Sequence, residues 1–116
     1  MTAATIYKIS PRAAWEAAEA TGQFTGAPVD IADGYIHFST ADQVQETAAK
    51  HFAGQDDLIL AAVDVAALGP ALKWEPSRGG ALFPHLYQPL AMTAVRWVKP
   101  LRRDAERGHL FPPLEP

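Results

Sequence analysis

The stretch DLILAAVDV, residues 57–65, is a nearly unbroken apolar run, and it limits how the rest of the chain can fold. A strand that is buried on both faces has this composition, whereas a strand with one face in water alternates apolar and polar residues. We therefore predict that residues 57–65 form a strand in the middle of a sheet. Other strands must then pair with it on both sides.

Other stretches carry weaker strand signals and could supply the rest of the sheet. They are TIYKIS (5–10), YIHFS (35–39), ALKWEP (71–76), ALFPHLY (81–87) and MTAVRWVKPL (92–101). Proline ends the third of these stretches and interrupts the fourth, which is typical of edge strands and rigid connections. SRGG, residues 77–80, is predicted to be a loop.

Two helices are predicted in the first half of the chain. The first runs from Pro11 to Thr21, with Ser10 as the capping residue before a proline at the first helical position and Gly22 beyond the end. The second runs from Ala41 to Ala53. Thr40 is predicted to cap it and Gln43 to reach back in a capping box, while His51 lies on its apolar side.

The remaining segments complete a one-domain plan. QFTGAPVDIADG (23–34) lacks sustained periodicity and is predicted to be a loop. Two helices followed by a run of strands predict an α+β fold, mainly antiparallel. We place the domain at residues 1–101 and a charged, Pro-rich C-terminal extension at residues 102–116.

Composition narrows the function classes. The 116 residues, 48% hydrophobic and 20% charged, fit one globular domain, and the lack of cysteine excludes disulfides, a thiol nucleophile and cysteine zinc sites. A net charge of −3 gives no general attraction to DNA or to an anionic membrane. With no signal peptide and no apolar run of the ~20 residues that span a bilayer, we expect a cytoplasmic protein.

The segment DGYIHFST, residues 33–40, carries a candidate site. Strand alternation places Tyr35, His37 and Ser39 on one face, with aliphatic and aromatic residues on the other. Convergent polar groups on one strand face are typical of a ligand site. A solvent-exposed face, or a buried histidine bonded to one backbone carbonyl, explains the same pattern.

A second segment supplies partners for this site. His85 and Tyr87 are two residues apart and share a strand face if the segment is extended, and Trp74 and Glu75 precede them. Core aromatics and a solvated strand-end carboxylate are the alternative interpretation. A metal-dependent hydrolase that uses His37, His85 and either Glu75 or Asp64 is a further alternative, but no close His-x-x-x-His pair is present, so we expect no metal.

A resemblance adds to this pattern. The segments IYKI (6–9), DGYIHFSTADQV (33–44), LKWEP (72–76) and LFPHLY (82–87), in this order and at these spacings, resemble the domain-of-unknown-function family 952. The likeness extends from about residue 6 to residue 101. Members of this family resemble the ADP-ribosyltransferase fold, a split, mainly antiparallel β-structure that holds NAD in a cleft.

That resemblance implies chemistry at named positions. Lys8 stands on the early strand where such enzymes have His or Arg and would contact phosphate. His37 and Ser39-Thr40 resemble the second element, and Glu75 or His85 the later polar residue. The implied catalytic residues are His37 and Glu75, and Lys8, Ser39, Thr40, Trp74, His85 and Tyr87 would bind substrate. NAD would be the substrate of a transferase or glycohydrolase, and a non-catalytic domain that binds a nucleotide or another small molecule is the alternative.

Overall fold

The computed structural model describes residues 3–116, and of Arg78 only the backbone. Residues 1 and 2, which the predicted domain includes, lie outside the described residues. The helices and strands, in chain order, are β1 (Thr5–Pro11), α1 (Arg12–Thr21), β2 (Gln23–Phe24), α2 (Pro28–Asp33), β3 (Ile36–His37), α3 (Val44–His51), β4 (Leu58–Asp64), β5 (Leu72–Pro76), β6 (Leu82–Leu86), β7 (Leu90–Ala91), β8 (Val95–Asp104) and β9 (Gly108–Leu110).

The apolar run at residues 57–65 forms β4, an interior strand as predicted. The sheet order is β1-β4-β8-β9, so β4 has an antiparallel neighbour on each side. All of its residues from Leu58 to Val63 are buried. Burial on both faces explains why its sequence does not alternate.

A second sheet has the order β3-β6-β5 and is also antiparallel. Its central strand is β6, although Pro84 lies in the middle of it and such a proline is typical of an edge. The partner β3 has only two residues, and its ladder ends beside Pro84, whose carbonyl accepts a hydrogen bond from Phe38 N–H. The missing N–H of Pro84 therefore falls where the ladder stops. A third sheet contains β2 and β7.

The prediction of a loop at residues 23–34 was wrong, because this segment contains β2 and the short helix α2. Helix α2 begins with Pro28 at its first position and ends at Gly34, whose φ of 87° is left-handed. The predicted cap of α1 was also wrong. Strand β1 continues through Pro11, and no side chain caps the start of that helix.

The third helix begins later than predicted. Residues 41–43 form a turn and α3 starts at Val44, with Gln43 as the capping position and no side-chain cap. Half of the predicted capping box is present, since Thr40 N–H donates to Gln43 Oε1 over 3.1 Å. His51 is exposed rather than packed on the apolar side.

Two apolar cores lie on opposite faces of the four-stranded sheet. One contains Trp15 and Phe24, and the other contains Tyr7 and Val44. Strand β1 divides its residues between them, since Ile6 contributes to the first core and Ile9 to the second. Lys8 shares the face of Ile6, and it is nevertheless only 4% exposed.

The last part of the chain is packed on the domain. Strand β8 continues to Asp104 and pairs with β9, so residues 102–110 extend the sheet. Phe111 and Leu114 then pack against the core that contains Tyr7. Mainly antiparallel α+β architecture is confirmed, with three α-helices in the described residues where two were predicted.

Candidate functional site

Strand pairing brings two predicted site residues face to face. In the β3–β6 ladder His37 lies directly opposite His85, and their ring centroids are 5.6 Å apart in an edge-to-face arrangement. This meeting is a consequence of register, because residues opposite each other in an antiparallel pair project from the same face. The predicted common face is therefore present for His37 and His85, whereas Ser39, which was also predicted on it, lies beyond the two-residue strand β3 and bridges to β1.

A carboxylate orients each imidazole. His85 Nδ1 lies 2.8 Å from Glu75 Oε1 on the neighbouring strand β5, and Tyr87 Oη donates to the same oxygen over 2.7 Å. The hydrogen bonds from Tyr87 and His85 lower the pKa of Glu75. The bond to Glu75 is also the main reason why the pKa of Tyr87 rises to about 12.

The carboxylate behind His37 is Asp30, on α2. Its Oδ1 lies 2.7 Å from His37 Nδ1 and 3.0 Å from the His37 backbone nitrogen, and Ala27 N–H donates to Oδ2. Lys8 Nζ lies 2.9 Å from Oδ1 and 2.8 Å from Oδ2. Asp30 thus holds β1, β3 and its own helix together.

These contacts keep the Asp30 carboxylate ionised. Burial alone would raise its pKa, but the hydrogen bond from His37 and the charge of Lys8 outweigh burial and lower the pKa to about 2. For Lys8 burial is the larger effect. Burial lowers the pKa of its ammonium, and the negative charge of Asp30 offsets only part of that lowering. The pair is therefore a buried ion pair in contact with an imidazole.

A second carboxylate reaches the far side of the His37 ring. Asp33 Oδ2 lies 2.9 Å from His37 Nε2, and the Asp33 side chain is 46% exposed. Both ring nitrogens of His37 are thus within hydrogen-bonding distance of a carboxylate. Asp33 differs from Asp30 in that water reaches it.

Tyr35 covers both imidazoles. Its ring centroid lies 4.7 Å from that of His37, 4.2 Å from that of His85 and 5.2 Å from that of Tyr87. Burial is the main reason why the pKa of its hydroxyl is raised, and the negative charges of Asp33 and Glu75 raise it further. A groove of about 300 Å³ has a lining that includes Ile31, Tyr35, Tyr87 and Pro89, and neither imidazole is part of that lining.

The remaining predicted residues lie elsewhere. Lys8 is enclosed against Asp30 and does not face the groove, contrary to its expected phosphate contact. Ser39 Oγ bonds Thr47 Oγ1 on α3, and Thr40 lies in the turn before that helix. Trp74 packs against the core that contains Trp15, on the side of β5 opposite Glu75.

Sequence reasoning misses Asp30 and Asp33 because residues 23–34 lack sustained periodicity and therefore predict a loop. Pro28 and Gly34 are the start and stop signals of the helix that carries them, and Asp33 precedes His37 by four residues. Tyr35 was placed on the His37 face by alternation but was not counted as a site residue.

The carboxylates named for the alternative metal centre have other partners. Asp64 lies on β4 and pairs with Arg96 at 3.2 Å, whereas Glu75 is the partner of His85. Within residues 3–116, leaving aside the Arg78 side chain, no group of three His, Cys, Asp or Glu side chains could hold a metal ion. Across the same residues, no helix is both long and apolar enough to cross a membrane.

Solved structures of one bacterial protein resemble this chain. The X-ray structure of protein CC0527 from Caulobacter crescentus is 54% identical and has a TM-score of 0.87, with 91% of this chain and 93% of that chain covered. The solution NMR structure of CC0527 is 55% identical and has a TM-score of 0.80, with 91% and 90% covered. No curated protein matches the chain.

The family match agrees with the motif resemblance, whereas none of the matched descriptions names an ADP-ribosyltransferase. That finer likeness stays a prediction. Because the match covers residues 9–98, most of the chain, the protein belongs to the family described as "Protein of unknown function (DUF952)".

Proposed function

We propose that the chain is an acid–base enzyme that acts on a nucleotide, and that it cleaves or transfers at the ribose carbon that carries nicotinamide in NAD. One observation carries the proposal: His37 and His85 face each other at 5.6 Å, each with Nδ1 on a carboxylate. A carboxylate on Nδ1 fixes the ring and leaves Nε2 as the atom that exchanges protons.

The charges around the site support this reaction class. Loss of nicotinamide builds positive charge on the ribose, which nearby carboxylates stabilise. Glu75 and Asp33 are both partly exposed, with side chains 35% and 46% accessible. Glu75, which keeps its contact with His85, is the carboxylate that we expect nearest to a bound ribose.

The groove supports a flat ring as part of the ligand. Tyr35 and Tyr87 offer aromatic faces, and Ile31 and Pro89 add apolar surface. Such walls suit a base or nicotinamide ring, since stacking on aromatic side chains is how proteins commonly hold nucleobases. The resemblance to the ADP-ribosyltransferase fold points the same way by analogy only.

A second candidate is a domain that binds a nucleotide without turning it over. The observation that favours it is the contact between His37 Nε2 and Asp33, which occupies one of the two proton-exchanging atoms. In that case the same groove would hold the ligand and neither histidine would transfer a proton.

Incubation of the purified chain with NAD tests the proposal, with released nicotinamide measured by chromatography. We expect release by the wild-type chain and a loss of about 10²- to 10⁴-fold in His85→Gln, the usual contribution of a general base. His51→Gln is the matched control, because His51 is exposed on α3. Circular dichroism would verify that both variants fold.

Two results would contradict the enzyme, and a third would contradict the role of His85. Calorimetric binding of NAD without nicotinamide release would favour the binding domain. The absence of both binding and release would overturn both proposals. Equal activity in His85→Gln and His51→Gln would remove His85 from the reaction.

A further inference from the structure

The two histidines differ in how their second ring nitrogen is held. His37 has a carboxylate oxygen on each nitrogen, at 2.7 Å from Asp30 and 2.9 Å from Asp33. His85 has one, at 2.8 Å from Glu75. Its Nε2 has no hydrogen bond within residues 3–116, and although the His85 side chain is only 5% exposed, this nitrogen is not among the fully buried unpaired atoms of that range.

This difference determines which atoms carry protons. An ionised carboxylate only accepts hydrogen bonds, so both contacts of His37 are hydrogen bonds only when both ring nitrogens are protonated. The ring of His37 is then an imidazolium. His85 needs only one proton, on Nδ1, to donate its hydrogen bond to Glu75. Its Nε2 then keeps a lone pair.

The surrounding charges agree with one charged and one neutral ring. The charges of Lys8 and His37 would balance those of Asp30 and Asp33. A second positive ring at 5.6 Å would add repulsion between like charges. The titratable groups that face the two rings are Lys8 from β1, Asp30 and Asp33 from α2, Tyr35 before β3, Lys73 and Glu75 from β5, and Tyr87 after β6.

We infer, on the basis of the proposed function, that His85 is the general base and that His37 is a fixed positive donor for an anionic oxygen of the nucleotide. The proton of the attacking hydroxyl or water moves to His85 Nε2 while its oxygen bonds to the ribose carbon. The bond from that carbon to nicotinamide breaks, and the nicotinamide nitrogen keeps the electron pair, so nicotinamide leaves as a neutral molecule.

Asp33 identifies where the anionic oxygen binds. Its carboxylate already occupies the hydrogen-bonding position at His37 Nε2, and it is exposed enough to turn into water. A phosphate oxygen that takes this position would accept the same proton that Asp33 accepts in the empty site. In the empty site the Asp33 carboxylate thus occupies the position of a ligand oxygen, and Asp33 is a positioning residue. The ligand class that this position indicates is a nucleotide phosphate.

Long-range ¹H–¹⁵N NMR spectra of the labelled chain test the charge assignment without any substrate. At pH 7 we expect both nitrogens of His37 to carry protons, and His85 to carry one on Nδ1 only. His37→Gln and His85→Gln assign the signals. In Asp33→Asn the pattern of His37 at pH 7 should change, because the carboxylate that accepts its Nε2 proton is gone, whereas the His85 pattern should not change.

The two proposals fail in different experiments. A neutral His37 or a doubly protonated His85 at pH 7 would overturn the assignment of roles, even in a chain that releases nicotinamide. The expected NMR pattern in a chain that releases no nicotinamide would overturn the enzyme and leave the charge assignment standing.

Discussion

Asp30 is the residue on which the site is built. Its two oxygens accept hydrogen bonds from Lys8, Ala27 and His37, and it is 1% exposed. A buried ion pair adds little net stability when it is intact, but removing one partner leaves a buried charge unpaired, which costs about 3–5 kcal/mol. The same residue therefore supports the fold and orients His37.

The acid sensitivity of the protein should reflect Asp30. Its folded-state pKa is about 2, below the ordinary value of 3.8, so its contribution to stability is full above pH 4 and is lost as the pH falls toward 2. The shift corresponds to about 2 kcal/mol. Urea unfolding at several pH values should show this loss in the wild type and a smaller loss in a Lys8→Met, Asp30→Asn double variant.

The Asp30→Asn single variant is the control for that comparison. Asp30→Asn alone should be less stable than the double variant, because it leaves the Lys8 ammonium buried with no carboxylate. A double variant with the same pH dependence as the wild type would show that other carboxylates cause the acid sensitivity.

At this scale sequence reasoning predicted about half of the candidate site. Alternation along each strand was enough to predict a common face for His37, His85 and Tyr87, since the period of two is a property of any extended strand. Asp30 and Asp33 come from a helix of six residues, which is too short for a helical period to be visible. Lys8 shows a further limit, because sequence does not reveal that a lysine is buried with its partner.

The start of α3 shows how one side chain can connect two elements. Gln43 Oε1 accepts the Thr40 N–H, and Gln43 Nε2 donates to the Leu82 carbonyl at the first residue of β6. The helix is therefore attached to the sheet that carries His85. The Ser/Thr-x-x-Gln pattern led to the correct interaction, but to a helix three residues too long at its start.

Replacing Gln43 should cost more than replacing Thr40. Gln43→Ala removes two hydrogen bonds, and we expect a loss of about 1–2 kcal/mol in the free energy of unfolding. Thr40→Ala keeps the Thr40 N–H and should change stability by less than about 0.5 kcal/mol. Urea denaturation of both variants measures the difference, and a larger loss in Thr40→Ala would restore Thr40 as the cap.

At the scale of the molecule, the long apolar strand was enough to predict the main sheet, because a strand buried on both faces needs neighbours on both sides. The second sheet was harder to predict. It pairs β3 with β6, two segments nearly fifty residues apart along the chain. A single sequence carries no signal that predicts which residues of such distant strands lie opposite each other. The site depends on this pairing.

The C-terminal segment closes the second core. Tyr7 Oη donates to the Glu115 carbonyl over 2.8 Å and accepts the Glu115 N–H over 2.7 Å, and the Tyr7 ring is 1% exposed. Phe111 and Leu114 cover the same core. The first strand and the last residues of the chain thus share one set of contacts.

Tyr7→Phe measures what these contacts contribute. Removing the hydroxyl should lower the free energy of unfolding by about 1–2 kcal/mol, since one donor and one acceptor lose their partners. In a chain that lacks residues 111–116 the same substitution should have almost no effect. Equal losses with and without the segment, measured by urea denaturation, would show that Tyr7 acts independently of Glu115.

The contact between Tyr7 and Glu115 also bears on synthesis. A ribosome delivers the chain from its N-terminus at about 5–20 residues per second, and contacts can form only after both partners have emerged. Strand β1 must wait for β4, β4 for β8, and Tyr7 for residue 115. Until residue 115 has emerged, Tyr7 lacks both of its hydrogen bonds to Glu115, and Phe111 and Leu114 do not yet cover the core that contains Tyr7.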